Sequence, residues 1–234
     1  MAAQYAGGGA HLRELRAIVG DGNVLEGDRI EDGYTHDESL TTPRGMPEAV
    51  VRPATTDQVA RLLKLANEHR IPVTLRGAGT GLSGGCIPRP GGILLSLERM
   101  NRILEIDLAN HVAVVEPGVT LGELDVETAK HGLVYPIFPG ENSASLGGNV
   151  ATNAGGMRAV KYGVTRNQVR GLEAVLPNGD VINTGGKFVK VSSGYDLTQL
   201  LIGSEGTLAV VTRVIVKLFP RMPLWSTLLA PFRS

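Results

Sequence analysis

Two glycine-dense segments constrain this chain more than any other feature of its sequence. The first reads GAGTGLSGG at 77–85, and the second reads SLGGNVATNAGG at 145–156. Neither contains Lys or Arg. Peptide N–H groups can approach a ligand closely only where Cβ atoms are missing. The two segments therefore predict two walls of one site, in which backbone donors rather than charged side chains bind a large anionic molecule.

Composition bounds the fold and the partners. The chain has 234 residues, of which 42% are hydrophobic, enough for one large domain or two small subdomains. Its 31 glycines and 13 prolines indicate many tight turns rather than disorder, because strong hydrophobic runs separate them. Lys and Arg together number 23, as do Asp and Glu, so no basic surface for nucleic acid is expected.

The cysteine content and the N-terminus indicate a cytoplasmic protein without a membrane span. A single cysteine, Cys86, excludes an internal disulfide and a thiolate metal cluster. The first ten residues, MAAQYAGGGA, lack the charged and apolar regions of a secretory signal. No apolar stretch approaches the roughly 20 residues that a spanning helix needs.

Periodicity and turn residues predict alternating helices and strands. A helix is predicted over 10–19, a loop over 27–47 and a strand over 49–52. A capping box at Thr55 and Gln58 opens a helix that ends near His69. The further predictions are strands at 72–75, 93–97, 102–107 and 112–116, a helix from the Thr120 and Glu123 capping box to about His131 with Gly132 ending it, a hairpin of 172–176 and 180–184 around the turn 177–179, a helix at 196–202, a tight loop at 203–207 and a strand at 208–218.

The first glycine segment also fits the spacing of a dinucleotide-binding loop. Gly79, Gly81 and Gly84 match GxGxxG after a strand, and Glu98 follows about 20 residues later. A dinucleotide loop opens a helix, however, and the residues that follow here are incompatible with a helix interior: Gly85, Pro88, Pro90, Gly91 and Gly92. The segment is therefore predicted to lead into another strand, with no helix dipole behind it.

The second segment offers neutral polar side chains. Asn142, Asn149 and Asn153 alternate with Ser143, Ser145 and Thr152. Such a set of donors and acceptors could bind the imide edge of a flavin, and FAD combines that edge with a diphosphate. The alternative is that these residues only form turns, as Asn and Gly often do.

Five ordered segments make the chain similar to the FAD-linked oxidases of the vanillyl-alcohol oxidase and p-cresol methylhydroxylase type. They are RGAGTGLSGG at 76–85, EPG at 116–118, GGNVATNAGG at 147–156, KYG at 161–163 and GSEGTL at 203–208. Within that group the chain most resembles the FAD subunit of glycolate oxidase and the D-lactate and D-2-hydroxyglutarate dehydrogenases. The resemblance extends from about Pro47 to Pro220.

The resemblance implies an α+β fold, in which a two-subdomain FAD-binding domain of the p-cresol methylhydroxylase type holds the cofactor between its subdomains. The FAD-binding domain would span 47–220, with subdomains of about 47–116 and 117–220. Residues 1–46 would form an N-terminal helix and lead-in. Residues 221–234 would start a C-terminal substrate domain that is missing.

The resemblance also assigns cofactor-binding residues. The pyrophosphate would be cradled by Arg76, Gly77, Ala78, Gly79, Thr80, Gly81, Leu82 and Ser83. The pyrophosphate, ribityl chain and flavin would be lined by Pro139, Gly140, Ser143, Ser145, Gly147, Gly148, Ala151, Thr152, Asn153, Gly155 and Gly156. Tyr162 and Gly163 would lie close by, Glu205 and Gly206 would lie near the adenosine, and Val211 would offer backbone contacts. The first segment has no histidine to carry the flavin, which implies non-covalent FAD.

Several of these residues have a structural alternative. Arg76 could pair with a carboxylate of the protein instead of an anionic ligand. Tyr162 could be a packing residue instead of a cofactor contact. Cys86 has no His or Lys beside it in sequence and is expected to be a buried small residue. The histidines show no metal-binding spacing: His11, His36, His69, His111 and His131. We assign no catalytic residue and no metal ligand.

The resemblance implies oxidation of a D-2-hydroxy acid, such as glycolate or D-lactate, by hydride transfer from the substrate Cα to flavin N5. Electrons would pass on to an acceptor protein or subunit. In the resembling enzymes the catalytic histidine and a metal belong to a C-terminal domain. The tail of this chain carries apolar residues that little remaining sequence could cover: Leu224, Trp225, Leu228, Leu229 and Phe232. A fragment or truncated chain explains this tail, and docking on another subunit is the alternative.

Three other functions stay open. The chain could be an FAD-binding module without activity of its own. It could be a flavoenzyme resembling UDP-N-acetylenolpyruvoylglucosamine reductase, which would oxidise NADPH. A Rossmann dehydrogenase is the third, disfavoured by the missing helix after the first glycine segment.

Overall fold

A computed structural model describes residues 8–224, 226 and 228–232, with side chains from residue 11 onward. It shows the mixed helix and strand content that the sequence predicts. The α-helices of the described part are α1 (Gly8–Val19), α2 (Thr56–His69), α3 (Leu121–Ala129), α4 (Leu146–Thr152), α5 (Ala159–Tyr162) and α6 (Leu197–Leu201). Its strands are β1 (Val24–Leu25), β2 (Ala49–Val51), β3 (Val73–Arg76), β4 (Ile93–Ser96), β5 (Ile103–Asp107), β6 (Val112–Val115), β7 (Leu133–Val134), β8 (Val169–Val175), β9 (Val181–Gly185), β10 (Val210–Lys217) and β11 (Phe219–Pro220).

The first sheet has the order β1-β2-β4-β3, in which β4 pairs in parallel with both β2 and β3. Helix α2 connects β2 to β3, as the predicted βαβ start requires. Strand β4 is buried along its whole length, because strands sit on both sides of it and the two N-terminal helices contribute to the same core. That core includes Leu15 of α1 and Leu62 of α2, each 1% exposed.

The second sheet is antiparallel, with the order β5-β6-β10-β8-β9. Strands β8 and β9 form the predicted hairpin, in which Gly179 takes a φ of 90° and Leu176 N–H donates to Asp180 O at 2.8 Å. Strand β10 alternates buried and half-buried residues, as the apolar alternation of 208–218 predicts. A short third sheet pairs β11 with β7.

The first sheet is built from β1 to β4, and the second sheet begins with β5. Strand β6 lies within the predicted first subdomain, yet it pairs with β10 of the second sheet. The predicted lead-in, residues 1–46, also contributes to the first sheet. Strand β1 pairs with β2, and Val19 and Val24 are buried in the first core. Both sheets thus contain pairs of strands that are distant in sequence.

Capping residues define the starts of α2 and α3. Thr55 Oγ1 accepts from Gln58 N–H at 3.2 Å, while Gln58 Oε1 accepts from Ala54 N–H rather than from Thr55 N–H. The capping box of α3 is reciprocal: Thr120 Oγ1 accepts from Glu123 N–H, and Glu123 Oε2 accepts from Thr120 N–H at 2.9 Å. Two donors that the first turn of α3 leaves unpaired are thus satisfied.

The second glycine segment is not the continuous loop that the sequence predicts, because it contains α4. Ser145 caps this helix by accepting from Gly148 N–H at 3.3 Å, and Asn153 ends it in the left-handed region at a φ of 52°. Gly147 and Gly148 are poor helix formers. Burial of Leu146 and Val150, both 0% exposed in the second core, stabilises the helix instead.

The C-terminal tail is exposed over its described residues. Leu224, Leu228, Leu229 and Phe232 have between 85% and 92% of their surface in contact with solvent. The predicted exposure of Trp225 falls outside the described residues. Within the described ranges, every helix is too short or too polar to cross a membrane.

Thr120→Ala is expected to lower the free energy of unfolding by about 1 kcal/mol, the usual cost of removing a helix N-cap. Urea denaturation followed by circular dichroism measures the change. Val126→Ala alters an exposed side chain of the same helix, 66% exposed, and is expected to leave stability unchanged. Equal stability of Thr120→Ala and wild type would contradict the capping role.

Candidate functional site

The two glycine segments line one cavity of about 260 Å³, as the sequence predicts. The predicted site residues that line it are Arg76, Gly77, Ala78, Gly79, Thr80, Gly81, Leu82, Ser83, Pro139, Ser145, Gly147, Gly148, Ala151, Thr152, Glu205, Gly206 and Val211. Those outside its lining are Gly140, Ser143, Asn153, Gly155, Gly156, Tyr162 and Gly163. Lining residues that were not among the predicted site residues are Asp37, Leu75, Gly85, Cys86, Leu97, Pro117, Glu141, Ala144, Asn149, Ala154, Leu201, Ser204 and Ala209.

The two segments touch each other at Ser145. Its Oγ, buried at the start of α4, accepts from Ala78 N–H at 3.2 Å as well as from Gly148 N–H. A Cβ on Gly77 would lie 2.3 Å from the same oxygen. Only glycine at position 77 lets the first segment come this close to the second.

The first segment presents unpaired backbone donors to the cavity. Within the described part of the chain, the N–H groups of residues 79–83 donate to no protein atom. Its far end is anchored, because Asp37 Oδ2 accepts from Gly84 N–H at 2.8 Å. The segment runs from β3 into β4 without a helix, which confirms the prediction that it leads into another strand.

Arg76 lies at the end of β3, and its side chain is buried with 9% of the residue exposed. Its Nη1 donates to His36 O at 2.7 Å and lies 3.5 Å from Cys86 Sγ. No carboxylate of the described residues lies within 4.0 Å of this guanidinium. The alternative that Arg76 serves in an ion pair therefore finds no partner in the described structure, and a positive charge borders the cavity.

Cys86 is half-buried beside that charge. Burial raises the pKa of the thiol above its ordinary value, and the smaller effect of the Arg76 guanidinium acts in the opposite direction. The thiol is therefore protonated at neutral pH and is not an activated nucleophile. The sequence predicted a buried small residue, whereas the structure shows a half-buried thiol, and no local pattern indicates the arginine beside it.

The three asparagines of the second segment have different environments. Asn149 lines the cavity, and its Nδ2 is buried without a hydrogen-bond partner in the described structure. Asn153 has a structural role, since its Oδ1 accepts from Arg166 N–H at 3.0 Å and its backbone ends α4. Asn142 lines a neighbouring cavity of about 250 Å³. Asn149 therefore supplies the free amide donor that the sequence expected of the group.

The segment 203–207 closes the cavity from a third side. Gly203 N–H donates to Val150 O at 2.9 Å, and Glu205 N–H donates to Ala151 O at 2.8 Å, so this loop is attached to α4. A Cβ on Gly85 would lie 2.7 Å from Glu205 Oε2. The Glu205 carboxylate thus meets the end of the first glycine segment.

Several predicted residues shape the surroundings of the cavity. A Cβ on Gly156 would lie 1.9 Å from Phe138 O, so this glycine permits close packing next to Pro139. Tyr162 packs edge-to-face on Phe219 with ring centroids 5.3 Å apart, in agreement with its alternative as a packing residue. Like Asn142, it lines the neighbouring cavity.

Glu98 does not act as the ribose acceptor of a dinucleotide site. Its carboxylate accepts from Tyr34 OH at 2.9 Å and from Ser96 Oγ at 3.0 Å, and it pairs with Arg52 at 3.3 Å. Burial, followed by the nearby Glu98 charge, raises the pKa of Tyr34. The acid that completes the dinucleotide spacing is therefore occupied by structural contacts.

The described cavity lining contains few titratable side chains. They include no histidine, and their carboxylates are Asp37, Glu141 and Glu205. The Ser143 backbone N–H, at 2.8 Å, lowers the pKa of Glu141, which is therefore ionised at neutral pH. The arrangement can bind an anionic, partly apolar molecule.

Comparison with known proteins gives this geometry a family context. Residues 47–185 match the protein family described as FAD binding domain. An uncharacterized FAD-linked oxidoreductase of Mycobacterium tuberculosis is 60% identical over 92% of this chain and 47% of its own length. D-lactate dehydrogenase of Archaeoglobus fulgidus is 52% identical, with 86% of this chain and 46% of the relative covered. Glycolate oxidase subunit GlcD of Bacillus subtilis is 48% identical, with 86% and 43% covered.

The chain spans less than half the length of each of these relatives. Among solved structures, p-cresol methylhydroxylase with substrate bound matches with a TM-score of 0.81 at 27% identity, covering 91% of this chain and 43% of that one. The similarity confirms the predicted p-cresol methylhydroxylase-type α+β fold.

Gly77→Ala is expected to lower the free energy of unfolding by about 1–3 kcal/mol, the usual cost of overpacking a tight contact. Gly81→Ala is the matched control, because its Cβ would meet Asp37 Oδ2 at an ordinary 3.6 Å. Thermal or urea unfolding of both variants measures the difference. If Gly77→Ala were as stable as Gly81→Ala, the first segment would not contact Ser145 as described.

Proposed function

Because the chain belongs to the FAD-binding domain family, we propose that its cavity binds FAD and that the chain is the flavin-binding part of an oxidoreductase. The pyrophosphate lies along residues 76–83, and the flavin end lies along 139–156. The adenosine lies toward Glu205 and Gly206. The remaining predicted contacts, outside the cavity lining, surround the flavin end as supporting residues.

The run of unpaired N–H groups over residues 79–83 carries this proposal. A diphosphate brings two negative charges and several acceptor oxygens, which such a run can satisfy without a Lys side chain. Arg76 supports the same placement, since a buried guanidinium without a described carboxylate partner gains most from an anion.

Asn149 supports the placement of the flavin. Its buried, unpartnered Nδ2 costs free energy until a ligand acceptor meets it. A flavin carries carbonyl oxygens and ring nitrogens that accept such a bond. The apolar lining nearby, which includes Leu201, Ala209 and Val211, suits the face of an aromatic ring system.

We further propose that the whole protein oxidises a D-2-hydroxy acid of the glycolate or D-lactate type. The names of the Archaeoglobus and Bacillus relatives support this substrate class. The reaction removes the hydrogen at the substrate's C2 as hydride and the hydroxyl hydrogen as a proton, giving a 2-oxo acid. Bound FAD supplies the two-electron acceptor. The electrons then go to an acceptor protein or subunit.

The described cavity favours a second candidate for this chain by itself, a flavin-binding module without activity. Its described lining contains no histidine to accept the hydroxyl proton, and its Glu141 carboxylate already accepts from Ser143 N–H. The proposed location of the protein is the cytoplasm, which its single cysteine suits.

Arg76→Gln is expected to weaken FAD binding by about tenfold to a hundredfold, because hydrogen bonds to charged groups contribute about 1.5–3 kcal/mol. Quenching of flavin fluorescence on titration measures the affinity. Riboflavin, which lacks the diphosphate, is expected to bind both forms equally. Arg99→Gln is the control, since this exposed arginine donates only to Arg52 O among the described residues.

Acid precipitation of the flavin-loaded protein is expected to release all of its flavin, since the first segment has no histidine to hold it covalently. Purified protein that carries no flavin and takes up none would contradict the whole proposal. An equal loss of riboflavin binding in a folded Arg76→Gln protein would contradict the placement of the diphosphate.

Anaerobic addition of D-lactate or glycolate to a protein as long as these relatives is expected to bleach the flavin absorbance as fast as the enzyme turns over. The present chain is expected to bind flavin without bleaching. Rapid bleaching by NADPH would instead support a reductase resembling the UDP-N-acetylenolpyruvoylglucosamine enzyme. Bleaching of the present chain by a hydroxy acid would contradict the inactive module.

A further inference from the structure

Helices α1 and α2 lie side by side on the first sheet and run in opposite directions. Gln58 Nε2, near the start of α2, donates to Ile18 O, near the end of α1, at 3.2 Å. The opposite ends of the helices bring His11 and His69 together, with ring centroids 4.2 Å apart and ring planes inclined by 48°. These two histidines lie far apart in sequence, and the helix pairing alone makes them neighbours.

A carboxylate completes this group. Glu14 lies one turn after His11 on α1, and residues three apart share a helix face. One ligand atom each from His11, Glu14 and His69 lies within 4.8 Å of the other two. His11 is half-buried, whereas Glu14 and His69 are exposed, so the group opens to solvent.

His11 has an unsatisfied nitrogen in this position. Its Nδ1 is buried and has no hydrogen-bond partner in the described structure. Buried polar atoms without partners are rare in folded proteins, and each one calls for a ligand, a water or an ion. Two imidazoles packed ring against ring, with a carboxylate beside them, are an arrangement that a bound cation would explain.

We propose that His11, Glu14 and His69 form a binding site for a divalent transition metal, Zn²⁺ in the first place. Two nitrogen ligands and one oxygen ligand suit Zn²⁺, whereas Mg²⁺ and Ca²⁺ require oxygen ligands throughout. Water fills the fourth position. Bonds of about 2.0–2.2 Å require the ligand atoms to move closer together, which the exposed side chains of Glu14 and His69 can do by rotation.

The metal cross-links α1 to α2 and so holds the N-terminal helix against the first core. Leu15 and Val19 of α1 belong to that core, and the site lies on the same helix as these residues. None of the three ligands lines the cavity proposed for FAD. The metal therefore acts on the stability of the N-terminal layer and not on flavin chemistry, and its test is independent of the proposed function.

Isothermal titration of the chelator-treated full chain with ZnCl₂ is expected to show one ion per chain. His11→Gln and His69→Gln are each expected to weaken Zn²⁺ binding at least about tenfold, the smallest effect that even indirect disturbance of a metal site usually has. Zn²⁺ is expected to raise the unfolding temperature of the wild type and not of these variants. MgCl₂ is expected to give neither effect.

His131→Gln is the matched control, because His131 also lies at a helix end with a glutamate nearby, Glu127, at 4.0 Å. It is expected to bind Zn²⁺ as the wild type does. Circular dichroism verifies that each variant is folded, and Glu14→Gln changes the third proposed ligand, whose side chain is exposed. Absence of Zn²⁺ binding by the wild type, or unchanged binding in folded His11→Gln and His69→Gln proteins, would overturn the proposal.

Discussion

Three segments of the cavity wall depend on the hydrogen bonds that one hydroxyl oxygen accepts. Ser145 Oγ accepts from Ala78 of the first glycine segment and from Gly148 in the first turn of α4, which uses both of its acceptor positions. Helix α4 in turn accepts the two N–H groups that attach the loop 203–207. A displacement of this serine would therefore be transmitted to all three segments, although they lie far apart in sequence.

The sequence predicted those parts of the fold that local chemistry determines. The box of Thr120 and Glu123 and the turn at 177–179 act within a few residues, and the structure has both. Pro88 and Pro90 likewise exclude a helix after the first glycine segment, whatever the rest of the chain does. The joint cavity was predictable because both glycine-dense segments lack Lys and Arg and so present backbone donors rather than charged side chains.

The remaining features depend on contacts between distant residues. Helix α4 forms against the propensity of Gly147 and Gly148, because the second core buries its apolar side chains. The division into two sheets follows from the pairing of β6 with β10, which no local pattern reveals. Asp37 and Asn149 enter the cavity through the same kind of long-range packing. Sequence spacing also separates His11 from His69, and only the helix pairing unites them.

The position of β4 in the first sheet has a consequence for how the chain assembles. Strands β2 and β3 are joined through α2 but do not pair with each other, since β4 lies between them. The first glycine segment and the turns that follow it connect β3 to β4. Because β3 and β4 are parallel neighbours, this ligand-facing loop is also the connection that returns the chain to the starting end of the sheet. Binding surface and scaffold therefore share one stretch of chain, so the length of this loop is set by the distance between two neighbouring parallel strand ends as well as by the ligand.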